Sequence, residues 1–278
     1  MGETHPTALE NAGAVADRSR LVAFALDVLP GRKIANALLR LLSREKRVAG
    51  GEIRYRVRDL TSLYIADEVF RQQAYARAFA DRPLRTFVDL GCHSGYFCCA
   101  AAHHAGSRDI VGLAVDAHPG AVRETRWHVQ RNGLANVRVV HGIAGPVGGA
   151  GDGATAAFHL SDSPAESSQF RRRDPSTAKA SAWHAAEVPA LNVGEAWRAH
   201  AGERRIDLLK VDIEGSEHLL FAREPGLLAL ADAVVLEWHC ELSPEAEVLA
   251  PLARAGFARK TILSRRERPA AEVLLFER

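Results

Sequence analysis

Cysteine is scarce in this chain and follows no pattern: Cys92, Cys98, Cys99 and Cys240 are the only four in 278 residues. No Cys-x-x-Cys pair is present to anchor zinc, and the usage fits a reducing compartment rather than a disulfide framework. Charge of one sign is lacking too. A formal net charge of +2 singles out neither nucleic acid nor an anionic membrane as partner. Long apolar runs are missing: nothing approaches the ~20 residues that span a bilayer. The short run from Leu21 to Leu29 is interrupted by Asp27. The opening Met-Gly-Glu-Thr-His-Pro has no basic stretch leading into an apolar one. These absences predict a cytoplasmic protein, without a membrane partner and with nucleic acid disfavoured.

What is present reads as one large α/β unit. Hydrophobic residues at 47% and charged residues at 25% suit an ordinary globular core. From residue 18 to 43 apolar residues recur at helical spacing, with Pro30-Gly31 dividing two helices. Arg32, Lys33, Arg40, Arg44, Lys46 and Arg47 make this the most basic stretch, read as a solvated helix face. Ile53, Tyr55 and Val57 alternate with Arg54, Arg56 and Arg58, the period of a half-buried strand, and a helix is predicted over 67–80. Apolar runs at 86–90, 110–115, 137–140, 206–211, 233–238, 258–263 and 273–276 predict strands. Stretches at 96–104, 119–132, 193–200, 216–221 and 244–255 predict helices between them. Continuous apolar strands separated by helices imply a doubly wound, mainly parallel sheet covered on both faces. The expected division is an N-terminal helical extension over 1–80, as cap, substrate surface or homodimer contact, followed by a main domain over 81–278. A Gly/Ser/Pro-rich insertion at about 145–190 interrupts that domain, with one strand predicted at 155–160 and a lid or mobile segment for the rest. It carries Arg171-Arg172-Arg173, and Trp183-His184 as a possible substrate contact.

The chemistry begins where the first strand of that domain ends, at Asp89-Leu90-Gly91-Cys92-His93-Ser94-Gly95-Tyr96. Glycines there let the backbone turn sharply and approach a ligand, and open parallel sheets bind ligands at the carboxyl ends of their strands. A dinucleotide loop needs a middle glycine, where this sequence has His93, and Asp89 just before the loop would repel a phosphate. That acid suits a cationic ligand, and S-adenosylmethionine carries a sulfonium and an ammonium. Asp116-Ala117 closes the second strand. Asp116 either accepts both ribose hydroxyls or caps the helix that starts near Pro119. Ile143 is either an apolar wall for adenine or a core residue.

Asp207-Leu208-Leu209-Lys210-Val211-Asp212-Ile213-Glu214-Gly215-Ser216-Glu217 and the later Leu236-Glu237-Trp238-His239 carry the most specific signal. They resemble the signature of FkbM-type methyltransferases, in which the fourth strand runs into an Asp-x-Glu-Gly-x-Glu turn and the fifth ends in Glu and His. The resemblance runs from about Thr86 to the C-terminus and leaves the first 50 residues uncovered; Asp116 stands where many members have Glu. It implies a Rossmann-like seven-stranded sheet, S-adenosylmethionine as donor, and methyl transfer to a hydroxyl of a small natural product or sugar. On that reading the cofactor-binding residues are Asp89, Gly91, Cys92, His93, Gly95, Tyr96, Asp116, Ala117, Ile143 and Asp212.

A neutral alcohol needs a base as it attacks. His239, Asp212 and Glu237 are the catalytic candidates, with His239 first because an ordinary imidazole titrates near ~6.5. A buried structural histidine fits His239 nearly as well, and Asp212 could instead hold the cofactor's amino group. Glu214 and Glu217 could serve only to favour a helix N-terminus. Asp212, Glu237 and His239 together could also hold Mg²⁺, although that ion prefers oxygen ligands. The rival functions are an N- or RNA methyltransferase and a non-catalytic S-adenosylmethionine-binding module.

Overall fold

Aliphatic strands that are buried end to end dictate where the sheet lies. The computed structural model describes residues 32–80, 82–145, 154–160, 184–267 and 270–278. Strands β3 (Thr86–Leu90), β4 (Val111–Asp116), β5 (Val137–His141), β9 (Leu208–Val211), β10 (Ala233–His239), β11 (Arg259–Glu267) and β12 (Ala270–Glu277) form one seven-stranded sheet. Its order is β11-β12-β10-β9-β3-β4-β5. β5, β4, β3, β9 and β10 run parallel, while β12 is antiparallel to both β10 and β11. Helices α4 (Tyr96–Ala105), α5 (Pro119–Arg131), α6 (Val193–Ala201), α7 (Glu217–Arg223), α8 (Pro225–Leu230) and α9 (Glu245–Arg254) connect the strands. Two apolar clusters flank the sheet. One joins Phe87 to Phe97 and Cys99; the other joins Val88 and Leu90 to the fully buried Trp197, Phe221 and Leu252. A buried Leu or Phe of this kind stabilises the fold by ~2 kcal/mol. The order reverses between β3 and β9, and the loops that follow those two strands open onto the crevice where such sheets bind ligands. This is the Rossmann-like, doubly wound α/β fold that the sequence predicts.

The N-terminal segment departs from expectation. α1 (Arg32–Leu41) is the second of the two predicted helices; the first lies outside the described residues. Its Leu38 and Leu41, with Leu42 just beyond, are exposed. The predicted strand shrinks to β2 (Arg54–Tyr55), paired with β1 (Lys46–Arg47). The helix predicted over 67–80 instead starts early, as α2 (Leu60–Ala66), because Asp59 and Ser62 form a reciprocal cap: Ser62 N–H donates to Asp59 Oδ1 at 2.7 Å. It runs on as a π-helical turn, Asp67–Arg71, and stops near Gln73, whose φ is +55°; α3 (Ala76–Phe79) follows. Val48, Ile53, Val57, Val69 and Phe79 share one core with Tyr96 and Phe97.

The insertion carries a second, three-stranded sheet, β6-β8-β7, made by β6 (Ile143–Ala144), β7 (Thr155–Leu160) and β8 (His184–Leu191). β7 was legible in the sequence; β8 was not, since Pro189 near its end reads as a breaker. Arg171–Arg173 and Trp183 lie outside the described residues.

Candidate active site at the strand-order reversal

The loop after β3 is shaped by close approach. Gly91 has φ of +73°, and a Cβ there would fall 1.7 Å from the carbonyl oxygen of Asp212, so the loops after β3 and β9 touch backbone to backbone. Gly95, at φ +76°, packs against Thr125, whose Cγ2 would lie 2.8 Å from a Cβ. Asp116 organises the same loop: Oδ2 accepts from the N–H of His93 at 2.8 Å and Oδ1 from the N–H of His118 at 2.7 Å. The cap of α5 is His118, whose Nδ1 accepts from Gly120 N–H at 3.0 Å. Capping therefore does not explain Asp116. Burial pushes its carboxyl up to about 7. Ala117 and Ile143 join Ala156, Phe158 and Val188 in a small apolar cluster, which brings the insertion's hairpin against this edge.

Other residues of the loop are used differently from what the sequence suggests. Asp89 is fully buried and faces Lys210, whose Nζ lies 3.2 Å from Oδ1, so its charge answers a lysine rather than a ligand. Cys92 turns towards Thr125 at 3.4 Å, and Tyr96 donates its hydroxyl to the carbonyl of Arg56 at 2.7 Å. Both side chains are spent in the core, which leaves their backbone for the loop. His93 is pushed down to about 4 by burial and is neutral at physiological pH; its Nε2 makes no hydrogen bond.

Lys210 was missed by sequence reasoning. Its signal was a lone cation inside the apolar run Leu208-Leu209-Lys210-Val211. It bridges Asp89 and Asp212, each at 3.2 Å, and donates to the carbonyl of Gly91 at 3.1 Å, pinning the two loops together. Burial works against the charged forms of both partners. Even so, the pair wins: Lys210 is held well above its ordinary value and Asp212 below.

The ends of β9 and β10 gather the acidic residues. His239 is 1% exposed, and its Nδ1 lies 2.9 Å from Glu217 Oε1. Glu217, also fully buried, accepts further hydrogen bonds from Gly215 N–H at 3.0 Å and Ser243 Oγ at 2.6 Å. Its position is thus explained by His239 and not by the start of α7 alone. His239 Nε2 makes no hydrogen bond and faces Glu214 Oε2 at 3.4 Å and Glu237 Oε1 at 4.0 Å. Burial lowers the imidazole's affinity for a proton, but the Glu217 hydrogen bond and the charges of Glu214, Glu217 and Asp212 outweigh it and raise the pKa to about 9. A histidine charged at neutral pH is the reverse of the general base that its ordinary pKa suggested. Glu237, half-buried, lies 3.2 Å from Arg266 and is raised to about 8 by the neighbouring charge of Asp212 and then by burial.

The N-terminal segment reaches this cluster. Burial and then the charge of Asp212 raise Glu68, which sits in the π-helical turn. Tyr64 feels Glu237 and Arg266, and Tyr75 feels Lys210 and Asp212, so all three lie within electrostatic reach of the cluster. Sequence reading noted the two tyrosines without a role and passed over Glu68.

Residues 89–257, more than half of the chain, match the family described as the methyltransferase FkbM domain. The chain belongs to that family. The matched span opens at Asp89 and takes in Gly91, Asp116, Asp212 and His239, so the site lies inside it except for the N-terminal segment and Arg266. Membership makes the chain an S-adenosylmethionine-dependent methyltransferase. No curated protein matches it in sequence. Among solved structures, the human methyltransferase 10 domain containing protein is 12% identical with a TM-score of 0.49, over 88% of this chain and 96% of that one. TYW2 from M. jannaschii, solved with AdoMet, is 12% identical with a TM-score of 0.43, over 85% and 86%. Rv0187 from MTB, also cofactor-bound, is 14% identical with a TM-score of 0.42, over 92% and 94%. Among the described residues no helix is long and apolar enough to cross a membrane.

The residues fit the cofactor. Gly91 and Gly95 let the loop close against Asp212 and Thr125, and Asp116, beside Ala117 and Ile143, has lone pairs left to accept hydroxyl donors of the kind a ribose carries.

Proposed function

We propose that this methyltransferase is an O-methyltransferase acting on a hydroxyl of a small natural product or sugar. The observation that carries the reading is the cluster of Asp212, Glu214, Glu237 and His239 at the carboxyl ends of adjacent strands, next to the loop at Gly91. Burying such like charges is costly unless they are used. An alcohol is the acceptor that needs them, because its proton must leave as it attacks. S-adenosylmethionine supplies the electrophilic methyl group on its sulfonium. The chain's own residues do the rest. Asp116 holds the ribose, Ala117 and Ile143 flank the adenine, and the backbone of Gly91, Cys92, His93 and Gly95 lines the amino-acid end. Lys210 is a positioning residue that fixes Asp212 and the loop. Glu237 takes the acceptor's proton in its ionised form, which prevails above about pH 8, since His239 is enclosed by Glu217, Glu214 and Glu237 and holds the carboxylates in place. In-line approach of the hydroxyl then depends on the walls of the chamber, and these include Tyr64, Glu68 and Tyr75. The extension over residues 1–80 is, on this reading, the substrate surface of the 81–278 domain.

Methyl-labelled S-adenosylmethionine incubated with a panel of hydroxylated sugars and aromatic or polyketide-like alcohols tests this. Label in an alkali-stable methyl ether supports it. Label appearing only on RNA or on amines, or S-adenosylmethionine binding with no transfer to any panel member, overturns it.

A further inference from the structure

We infer that Asp212, Glu214 and His239 form a binding site for a divalent first-row transition cation such as Mn²⁺, in preference to Mg²⁺. The inference rests on the hydroxyl-methylating reading only for the use of the site, not for its existence. One ligand atom from each of the three residues lies within 4.8 Å of the others, the spread of donors around a single ion. The observation that points to a ligand is His239 Nε2. It is buried, makes no hydrogen bond, and is aimed at the two carboxylates.

The surroundings are those of a metal-bound imidazole. A ligating histidine holds its other ring N–H against a carboxylate, which fixes the tautomer and ring orientation and raises its basicity. Here His239 Nδ1 sits 2.9 Å from Glu217 Oε1, and Glu217 is itself fixed by Gly215 N–H and Ser243 Oγ. Glu214 is presented from φ of +53°, a conformation that a glutamate seldom adopts. Four carboxylates, Asp212, Glu214, Glu217 and Glu237, surround the ring, so the place demands a positive charge.

Ligand chemistry selects the ion. Two carboxylate oxygens and one imidazole nitrogen suit Mn²⁺, Fe²⁺ or Zn²⁺, whereas Mg²⁺ favours an all-oxygen shell. This differs from a Mg²⁺ site on Asp212, Glu237 and His239: the third ligand is Glu214, and Glu237 stays free of the ion. An ion bound by three protein groups keeps open positions, and a hydroxyl that enters one becomes easier to deprotonate.

The test is an electron paramagnetic resonance titration of the chelator-treated protein with Mn²⁺ alone, without acceptor or S-adenosylmethionine. The expected result is one saturable site per chain, with a pulsed-resonance coupling to a directly bound ¹⁴N. Zn²⁺ should displace the Mn²⁺, and Mg²⁺ at equal concentration should not. Glu217→Gln, which keeps the shape of the supporting residue, should weaken binding about 10- to 100-fold. Failure to saturate, binding without nitrogen coupling, or displacement by equimolar Mg²⁺ would each overturn the proposal. The nitrogen coupling is read on the unmutated protein, so misfolding of a variant cannot obscure it. With no acceptor in the tube, a fruitless search for hydroxylated substrates leaves this result standing, and absence of metal binding leaves the methyl-transfer reading standing.

Discussion

The two sides of the crevice are built on opposite principles. On the β3–β4 side the polar groups satisfy one another: Asp116 binds two backbone N–H groups, and His118 caps α5. The missing side chains at Gly91 and Gly95 let the loop pack against the Asp212 carbonyl and Thr125. On the β9–β10 side four carboxylates crowd around one imidazole whose Nε2 makes no hydrogen bond. The first side is organised to hold something, at the cost of a buried Asp116 carboxyl and a His93 Nε2 without a hydrogen bond. The second stores like-charge repulsion that only chemistry or a cation can use. Lys210 joins them, one arm to each side.

Mutations that separate the two sides sharpen the contrast. The largest effect belongs to the acidic side. Glu237→Gln should reduce turnover by about 100- to 10,000-fold, the usual contribution of a positioned base. Calorimetric affinity for S-adenosylmethionine should stay within a few-fold of the parent. Equal losses in both would mean that the two sides are one functional unit. Next comes the bridge. Lys210→Met leaves Asp89 buried beside an apolar chain, and removing one partner of a buried pair costs about 3–5 kcal/mol. Chemical denaturation should register that loss; a stability equal to the parent would show that Asp89 is held by something other than Lys210. On the holding side, Asp116→Ala should cost S-adenosylmethionine roughly 100-fold in affinity, two charge-assisted hydrogen bonds at about 1.5 kcal/mol each, with a smaller effect on turnover at saturating cofactor.

The same contrast decides how much was legible in the sequence. Sheet strands announce themselves as short apolar runs, so six of the seven were placed to within two residues at their starts; the exception is β12, which begins at Ala270, ahead of its apolar run at 273–276. Gly91, Gly95 and Asp116 are also local signals, because their meaning lies in the strand–turn–helix around them. The acidic side is not local. Nothing in the string Glu237-Trp238-His239 tells that His239 meets Glu217, 22 positions earlier, or that the resulting ion pair reverses its charge at neutral pH. Lys210 takes its meaning from Asp89, which comes to it from another strand. The helix expected over 67–80 leaves out the cap formed by Asp59 and Ser62, from which the observed helix runs, beginning at Leu60. The nearness of Glu68 and Tyr75 to Asp212 and Lys210 comes from the tertiary placement of the N-terminal segment, which no periodicity carries.

The smallest effect is also the one that tests the holding side most directly, because it requires no mutation. Burial raises the Asp116 carboxyl from 3.8 to about 7, against the two backbone hydrogen bonds that pull it down. The groups facing it are the His93 and His118 backbone, with Asp89 and Lys210 acting at longer range in opposite directions. A carboxyl whose folded value is raised contributes stability that is complete below the unfolded value and is lost as pH rises towards the folded one. The cofactor-free protein should therefore lose stability from this group between about pH 4 and pH 7. Cofactor affinity runs the other way, since two ribose hydroxyls donate to the ionised form and must expel its proton when the solution is more acidic. Calorimetry at pH 8, 7 and 6 should show affinity level at first and then falling towards tenfold weaker per unit below about 7. Asp116→Asn should flatten that profile while binding more weakly throughout. A slope that survives Asp116→Asn would assign the titration to another group and detach Asp116 from the ribose.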